Sequence, residues 1–415
     1  MYMIKIGILG LALRNSTKVG GNMGCYALGF SFFEVINTIA LRNRKQIQIV
    51  DIKTVSLLGY LKLQTKKILR KESDVMSYYT SLYSNLSFKR VYIIRCWNNL
   101  YLMDKSSSYD YVFDFTAGDS FTDIYGKKRF FLRTQVKKKI IDSNIPLVLG
   151  SQTIGPFGDS DVLSYAVKVI EGSNKVFVRD SQSQQYVESI CNTKPILTTD
   201  VAFLLPYDKN KYQFESKKKK AGFNPSGLLW LGGYTKNNQF GLTVNYQQYC
   251  RCVISILYEM GYEVHLILHA YYLKGQKRED YADNDRLAVE TLCQEFPSAK
   301  VSPNFQTPMD AKSYISNMDL FIGARMHATV AAISSGVPVI PFSYSRKFEG
   351  LFSSLNYPFV VEGTKWDTPK AIDNTLEWIK DINTLKEHIT NSSTVIKLKN
   401  QFLFNEYEKI ILNQE

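Results

Sequence analysis

Short apolar runs alternate with amphipathic stretches along most of the chain. In the first half the runs Ile4–Leu9, Gln48–Asp51, Tyr111–Phe115, Pro146–Leu149 and Lys175–Val178 each precede a stretch of small and polar residues. Such runs, separated by segments of helical period, predict parallel strands covered by helices on both faces. A second alternation begins at Gly227, with a strand at Leu228–Leu231, a helix over Tyr246–Met260, a strand at Glu263–Leu268, and helices over Asp285–Phe296 and around Asp310–Asn317. It closes on GARMHATVAAISSGVPVI, residues 323–340. There Asp319–Ile322 reads as a strand, Ala328–Ser335 as a helix of small residues, and Gly336-Val337-Pro338 as its end before a strand at Val339–Phe342. The fold class expected is α/β, with two open parallel-sheet, Rossmann-like domains facing across a cleft. The expected divisions are an N-terminal domain over 1–207, a lysine-rich linker over 208–226, a second domain over 227–368, and a charged helical segment over 369–415. That last segment is long enough to cross back onto the first domain, although the pattern does not decide whether it does.

The Arg-x-His pair, Arg325 and His327, falls where a strand hands over to a helix. A helix start offers unpaired N–H groups and the positive end of the helix dipole, so these two side chains would add charged donors to a place already suited to phosphate or carboxylate. A surface ion pair and a capping histidine are the bland alternative. Arg346 and Lys347 follow the next strand and are candidates for the same anion site, as is Arg179 beyond the strand at Lys175–Val178. His269 ends a strand, and the acidic cluster Asp280, Asp283 and Asp285 follows, without a spacing that enforces a metal site. Nearer the N-terminus, Gly20-Gly21-Asn22-Met23-Gly24 sits between a strand and a helix, where its backbone amides could approach an anion or a sugar closely. Its glycine spacing does not fit a dinucleotide fingerprint. Asp119 and Asp123 in FTAGDSFTDIYG, and Gln152 in GSQTIGPFGDSD, lie on loops after strands. They are candidates for sugar hydroxyls, with capping and turn formation as the structural alternative.

Composition narrows the classes. The 415 residues suffice for two cores, and 27 Tyr with 24 Phe argue against disorder. The 51 Lys and Arg exceed the 38 Asp and Glu, giving +13, which draws a protein to anionic substrates and anionic membrane surfaces. Nucleic acid is not expected, because no helix-turn-helix, zinc-finger or RNP-like signature accompanies the charge. The six cysteines show no CxxC pair and no metal-ligand spacing, so no metal is expected and a reduced cytosolic setting fits. No eighteen consecutive apolar residues occur, so membrane association would be peripheral, at the inner face. The sequence sets no oligomeric state.

The loops taken in order are more specific than any of them alone. The succession GGNMGCYAL, AGDSFTD, SQTIGPFG, VRDSQS, TTDVAF and ARMHATVAAISSGVPVIPFSYSRK resembles the polysaccharide pyruvyl transferase family from about residue 4 to residue 350. The resemblance implies a GT-B-like protein that transfers a pyruvyl group from phosphoenolpyruvate to two hydroxyls of a sugar, making a cyclic ketal. It implies no cofactor beyond phosphoenolpyruvate as co-substrate. The acceptor it implies is a surface-polysaccharide precursor (exopolysaccharide or capsule), polymeric or carried on a lipid such as undecaprenyl diphosphate. By the same resemblance His327 and Arg325 would be catalytic. Arg325, Lys347, Arg346, Arg179 and His269 would hold the donor, and Gly21, Asn22, Asp119, Asp123 and Gln152 the acceptor. The chain departs from the family's usual pattern at Cys25 and at Ala117, where a glycine is frequent. Two rival functions fit the same residues: a GT-B glycosyltransferase using a nucleotide sugar, and a non-catalytic protein that binds anionic glycans.

Overall fold

The computed structural model describes residues 2–13, 20–96, 99–102, 108–273, 275 and 281–414. In chain order the first elements are β1 (Ile4–Leu9), β2 (Gly21–Asn22), α1 (Met23–Arg42), β3 (Ile47–Ser56), α2 (Leu57–Leu63), α3 (Lys66–Leu82), β4 (Leu86–Cys96) and β5 (Asn99–Leu102). They are followed by β6 (Tyr111–Asp114), α4 (Lys127–Asp142), β7 (Leu147–Gln152), α5 (Ser160–Glu171), β8 (Lys175–Val178), α6 (Ser181–Ile190) and β9 (Ile196–Leu197). The second series runs β10 (Lys220–Asn224), α7 (Gly227–Trp230), α8 (Tyr246–Glu259), β11 (Glu263–Leu266), β12 (Ala270–Tyr271), α9 (Arg286–Glu295), β13 (Lys300–Val301) and α10 (Pro308–Ile315). It ends with β14 (Leu320–Gly323), α11 (Met326–Ser334), β15 (Val339–Ser343), α12 (Arg346–Ser353), β16 (Val361–Glu362), α13 (Thr368–Lys380) and α14 (Ile382–Ile411).

The chain forms two compact units, and their boundaries are not those expected from the sequence. One unit takes the start of the chain, Leu28–Leu204 and Lys399–Glu415; the other takes the stretch that ends at Ala27 together with Leu205–Leu398. The sheet of the first unit has the order β5-β4-β3-β1-β6-β7-β8-β9, parallel except for the β4–β5 pair. Helix α1 is the one helix among the described residues long and apolar enough to cross a membrane, and two thirds of its apolar window is buried. Phe30, Phe32 and Phe33 of this helix are fully buried, and Phe32 packs on the rings of Phe113 and Phe115. The end of α14 joins the same core. Tyr407 meets Phe32, Phe113 and Phe177, and its hydroxyl accepts the Ser151 N–H at 3.2 Å.

The second unit holds a fully parallel sheet of order β13-β11-β10-β14-β15-β16. Its central strand, β10, lies inside the segment expected to be a linker. The four lysines there hide a short strand whose apolar part is only Ala221-Gly222-Phe223. A Cβ on Gly222 would come within 2.7 Å of the Phe321 ring, so the neighbouring strand tolerates no larger residue. Leu228–Leu231, expected as a strand, is instead the short buried helix α7 and its cap. Gly227, its first residue, lies so close to Asn284 that a Cβ would sit 1.9 Å from the Asn284 carbonyl oxygen.

The glycine-rich loop also departs from expectation. It belongs to the second unit, where β2 pairs antiparallel with β12 through Gly21↔Tyr271 and Asn22↔Ala270. The Met23 N–H then donates to the His269 carbonyl at 2.9 Å. In the second sheet β11 lies on one side of β10 and β14 on the other, so the strand order reverses between β10 and β14. Ligands of open α/β sheets bind at such a reversal, outside the carboxyl ends of the strands.

Candidate active site

Arg325 and His327 stand at that reversal. The pairing Asn224↔Gly323 brings the ends of β10 and β14 side by side, and the chain then turns through Ala324 into α11. Asn224 is buried and fixes the turn twice. Its Nδ2 donates to the Ile267 carbonyl at 2.8 Å, and its Oδ1 accepts the Arg325 N–H at 3.1 Å. Arg325 is the residue that caps α11, and no side chain closes the helix start, so the dipole's positive end is left for something else. Gly336, with φ +80°, ends α11 in the left-handed conformation that the sequence pattern predicts there.

The Arg325 guanidinium is held from below. Its Nε and Nη2 donate to one oxygen of Asp285, at 3.0 and 2.6 Å, and Nη2 also donates to the Asp283 carbonyl. Asp285 is fully buried and turns its remaining capacity to backbone, accepting the N–H groups of Gly227 at 2.9 Å, Ala270 at 2.9 Å and His269 at 3.3 Å. Burial works against the charged guanidinium, but the charge and hydrogen bond of Asp285 outweigh it and hold the pKa above its ordinary value. One edge of the Arg325 fork is committed to Asp285, which leaves Nη1 as the remaining edge.

His269 is brought into the same cluster. It is buried, and burial first, then the charges of His327 and Arg325, push its pKa down to about 3. It is therefore a neutral imidazole near pH 7. His327 faces the glycine-rich loop so closely that a Cβ on Gly24 would lie 2.6 Å from its Nδ1 and 2.9 Å from its own Cβ. Gly21 is shielded in the same way, since its Cβ would meet the Tyr26 hydroxyl at 2.6 Å and its φ is +109°. Asn22 accepts the Cys25 N–H at 3.1 Å and so caps α1. Both residues were expected on an acceptor side in the first domain; they line the unit that carries His327, because the β2–β12 pairing carries the loop there.

Arg346 and Lys347 open α12 after Ser345, and the Lys347 Nζ lies 5.3 Å from the centre of the Tyr344 ring. Tyr234, on the loop after α7, joins them. The protein around its phenol and then Asp283 raise its pKa to about 12, with Arg325 and Lys347 opposing. Sequence reasoning missed Asn224 and Tyr234. It noticed Asp285 only as one of an acidic cluster, of which Asp280 lies outside the described residues. Among the described residues no group of three or more His, Cys, Asp or Glu side chains is arranged to hold a metal ion. His265, on β11, is buried and bonds Tyr314 at 2.7 Å and Glu263 at 2.9 Å.

The remaining candidates lie in the first unit and are mostly occupied by structure. Arg179, expected with the donor group, is buried there, ion-paired with Asp200 and donating from Nε to Thr153 at 2.9 Å. Arg325 is ion-paired too, with Asp285, but it keeps 8% of its surface exposed against 1% for Arg179. Asp123 accepts the N–H groups of Gly158 at 2.9 Å and Asp159 at 3.1 Å, which pins that loop. Gln152 is fully buried, and its amide donates to the Asp114 carbonyl at 2.9 Å. Asp114 also pairs with the buried Lys137 at 3.4 Å. Asp119 is half-buried and accepts the Tyr125 hydroxyl at 3.1 Å. Ala117, where the resembling family often has glycine, has φ +56°, a left-handed conformation that glycine adopts without strain.

A family model described as polysaccharide pyruvyl transferase matches residues 46–346, more than half of the chain. The chain belongs to the polysaccharide pyruvyl transferase family. No curated protein sequence matches it. Among solved structures it is similar to S. aureus MnaA in a co-structure with UDP, at 11% identity and a TM-score of 0.56, covering 100% of this chain and 98% of that one. It is similar as well to the UDP-GlcNAc 2-epimerase of Neisseria meningitidis bound to UDP-GlcNAc, at 11% identity and a TM-score of 0.54, with both chains covered in full. A third likeness is to the N-terminal domain of Candida albicans trehalose-6-phosphate phosphatase, at 9% identity and a TM-score of 0.53, covering 100% and 97%. At these identities the likeness speaks for the fold: α/β, with two open sheets of the GT-B-like kind.

Proposed function

We propose that this member of the polysaccharide pyruvyl transferase family transfers the pyruvyl group of phosphoenolpyruvate to two hydroxyls of a sugar. The acceptor in this reading is a lipid-linked or polymeric precursor of a surface polysaccharide. The observation that carries the reading is the convergence of Arg325, His327 and His269 at the uncapped start of α11, at the reversal of the second sheet, with Lys347 sharing the surroundings of Tyr234 with Arg325. Phosphoenolpyruvate bears a phosphate and a carboxylate. The helix start with the Nη1 edge of Arg325 takes one, and Lys347 with Arg346 takes the other. Asp285 holds the Arg325 guanidinium in one orientation, so little side-chain freedom is lost when the donor arrives.

In the reaction a proton is delivered to the vinyl carbon, and one sugar hydroxyl bonds to the central carbon as it loses its proton. The second hydroxyl then displaces phosphate from that carbon and closes the ring, its proton leaving with the phosphate. Phosphoenolpyruvate and a diol thus give a ketal and inorganic phosphate. His327 is the proton carrier in this scheme, since it stands in the first turn of α11 against the glycine-rich loop and imidazole is the side chain most often used for general acid–base transfer. His269 cannot supply the proton, being neutral down to about pH 3, and serves as a neutral hydrogen-bonding wall. Thermal denaturation tests the donor assignment. Phosphoenolpyruvate should raise the melting temperature and nucleotide sugars should not, and stabilisation by nucleotide sugars alone would reject it.

A further inference from the structure

Helix α2, on the first unit, turns its apolar side to water. Ser56 starts it, its Oγ accepting the Gly59 N–H at 3.0 Å. At helical spacing Leu57, Leu58 and Leu61 share one arc, with Lys62 on its border, while Gly59, Tyr60 and Leu63 share the other. The inner arc is packed, the Tyr60 ring meeting the Tyr92 ring of β4 at 5.9 Å between centroids. The outer arc leaves Leu57 44%, Leu58 73% and Leu61 57% exposed. Surface helices ordinarily point such residues inward, and a contiguous apolar patch left outside marks an interaction site.

The sequence around the patch says what covers it. Lys62, Lys66, Lys67, Arg70 and Lys71 fall within residues 62–71, with no Asp or Glu among them, and α3 begins at Lys66. A second copy docked on this face would bring two such basic segments together, whereas an anionic bilayer accepts both the leucines and the charge. We propose that α2 docks on an anionic membrane surface. Leu57, Leu58 and Leu61 enter the acyl boundary, and the exposed Lys62 sits at the lipid phosphates. This reading is independent of the pyruvyl-transfer reaction.

Flotation with vesicles of phosphatidylcholine, alone or with phosphatidylglycerol, tests it on the full chain. The wild type should float with the phosphatidylglycerol vesicles and only weakly with phosphatidylcholine alone. Leu58→Asp/Leu61→Asp should lower the bound fraction at least ~10-fold with an unchanged melting temperature, because both side chains are exposed. Lys62→Glu should weaken binding by a smaller factor that salt abolishes. A Leu58→Cys variant carrying an environment-sensitive dye should shift to the blue on phosphatidylglycerol vesicles, which gives a readout even if the double variant misfolds. Undiminished flotation of a folded double variant, or no dye shift on vesicles that bind the protein, would overturn the proposal. So would light scattering that shows the double variant breaking a dimer while flotation persists, because the face would then belong to a second copy.

Discussion

Gly24→Ala isolates the contact between the glycine-rich loop and His327. Gly24 is the second residue of α1, without a positive φ, so the backbone accepts alanine, and only the added methyl matters. That methyl would lie 2.6 Å from His327 Nδ1, 2.9 Å from its Cβ and 3.0 Å from its Cγ. Carbon contacts sit comfortably at roughly 3.5–4.0 Å, so the imidazole or the helix start must move by about 1 Å. Overpacking of this kind costs about 1–3 kcal/mol, and the better helix propensity of alanine returns about 1 kcal/mol, so the net loss of stability should be ~0–2 kcal/mol. Activity should suffer far more, since a displacement of about 1 Å at a reacting group can cost on the order of 10²-fold. Urea denaturation and phosphate release from phosphoenolpyruvate with an acceptor measure the two effects separately. Adding His327→Ala supplies the control, because the alanine at position 24 should no longer destabilise once the ring is gone. A Gly24→Ala protein that is about 1 kcal/mol more stable and fully active would refute the reasoning.

The other predictions concern the same cluster. Asp285→Asn leaves the buried Arg325 charge without its partner and should cost about 3–5 kcal/mol of stability in denaturant unfolding; the double variant with Arg325→Met should recover part of the loss. His269 has a folded pKa of about 3 against an unfolded value near 6.5, so the unfolded chain binds the extra proton and stability is lost as pH falls through that window. By pH 5 the loss relative to pH 7 should reach ~2 kcal/mol, and denaturation of His269→Gln across the same range should lack it. His327→Ala should lower turnover by ~10²–10⁴-fold while calorimetry still detects phosphoenolpyruvate binding, whereas a merely structural histidine would cost melting temperature and spare the activity.

Much of the fold could be read because buried parallel strands announce themselves locally. β1, β6, β8, β14 and β15 are compact apolar runs, and the helix between the last two is bounded by a glycine the pattern picks out. β10 could not be read in the same way, since its apolar stretch is brief and begins at the end of a lysine run. The neighbours that bury it, β11 and β14, lie far along the chain. The site divides along the same line. Arg325 and His327 were visible because strand, turn and helix start are contiguous. Asn224 and Asp285 work through partners 101 and 40 residues away, and nothing in their own surroundings marks them. Arg179 resembles Arg325 by position after a strand, yet it is almost wholly buried in the first unit against Asp200 and Thr153. The glycine-rich loop was recognised as a close-approach element, but its partner strand, β12, had no sequence signal beyond two residues.

The central claim is that a pyruvyl group leaves phosphoenolpyruvate and closes a ketal on a sugar under the control of Arg325 and His327. Mass spectrometry of a panel of free and lipid-linked glycosides, incubated with the protein and phosphoenolpyruvate, tests it most directly. At least one glycoside should gain the mass of a pyruvate ketal, with phosphate released in equal amount, and His327→Ala should abolish the gain while still binding the donor. Transfer of a sugar from a nucleotide donor to the same panel, with no ketal formed from phosphoenolpyruvate, would contradict it.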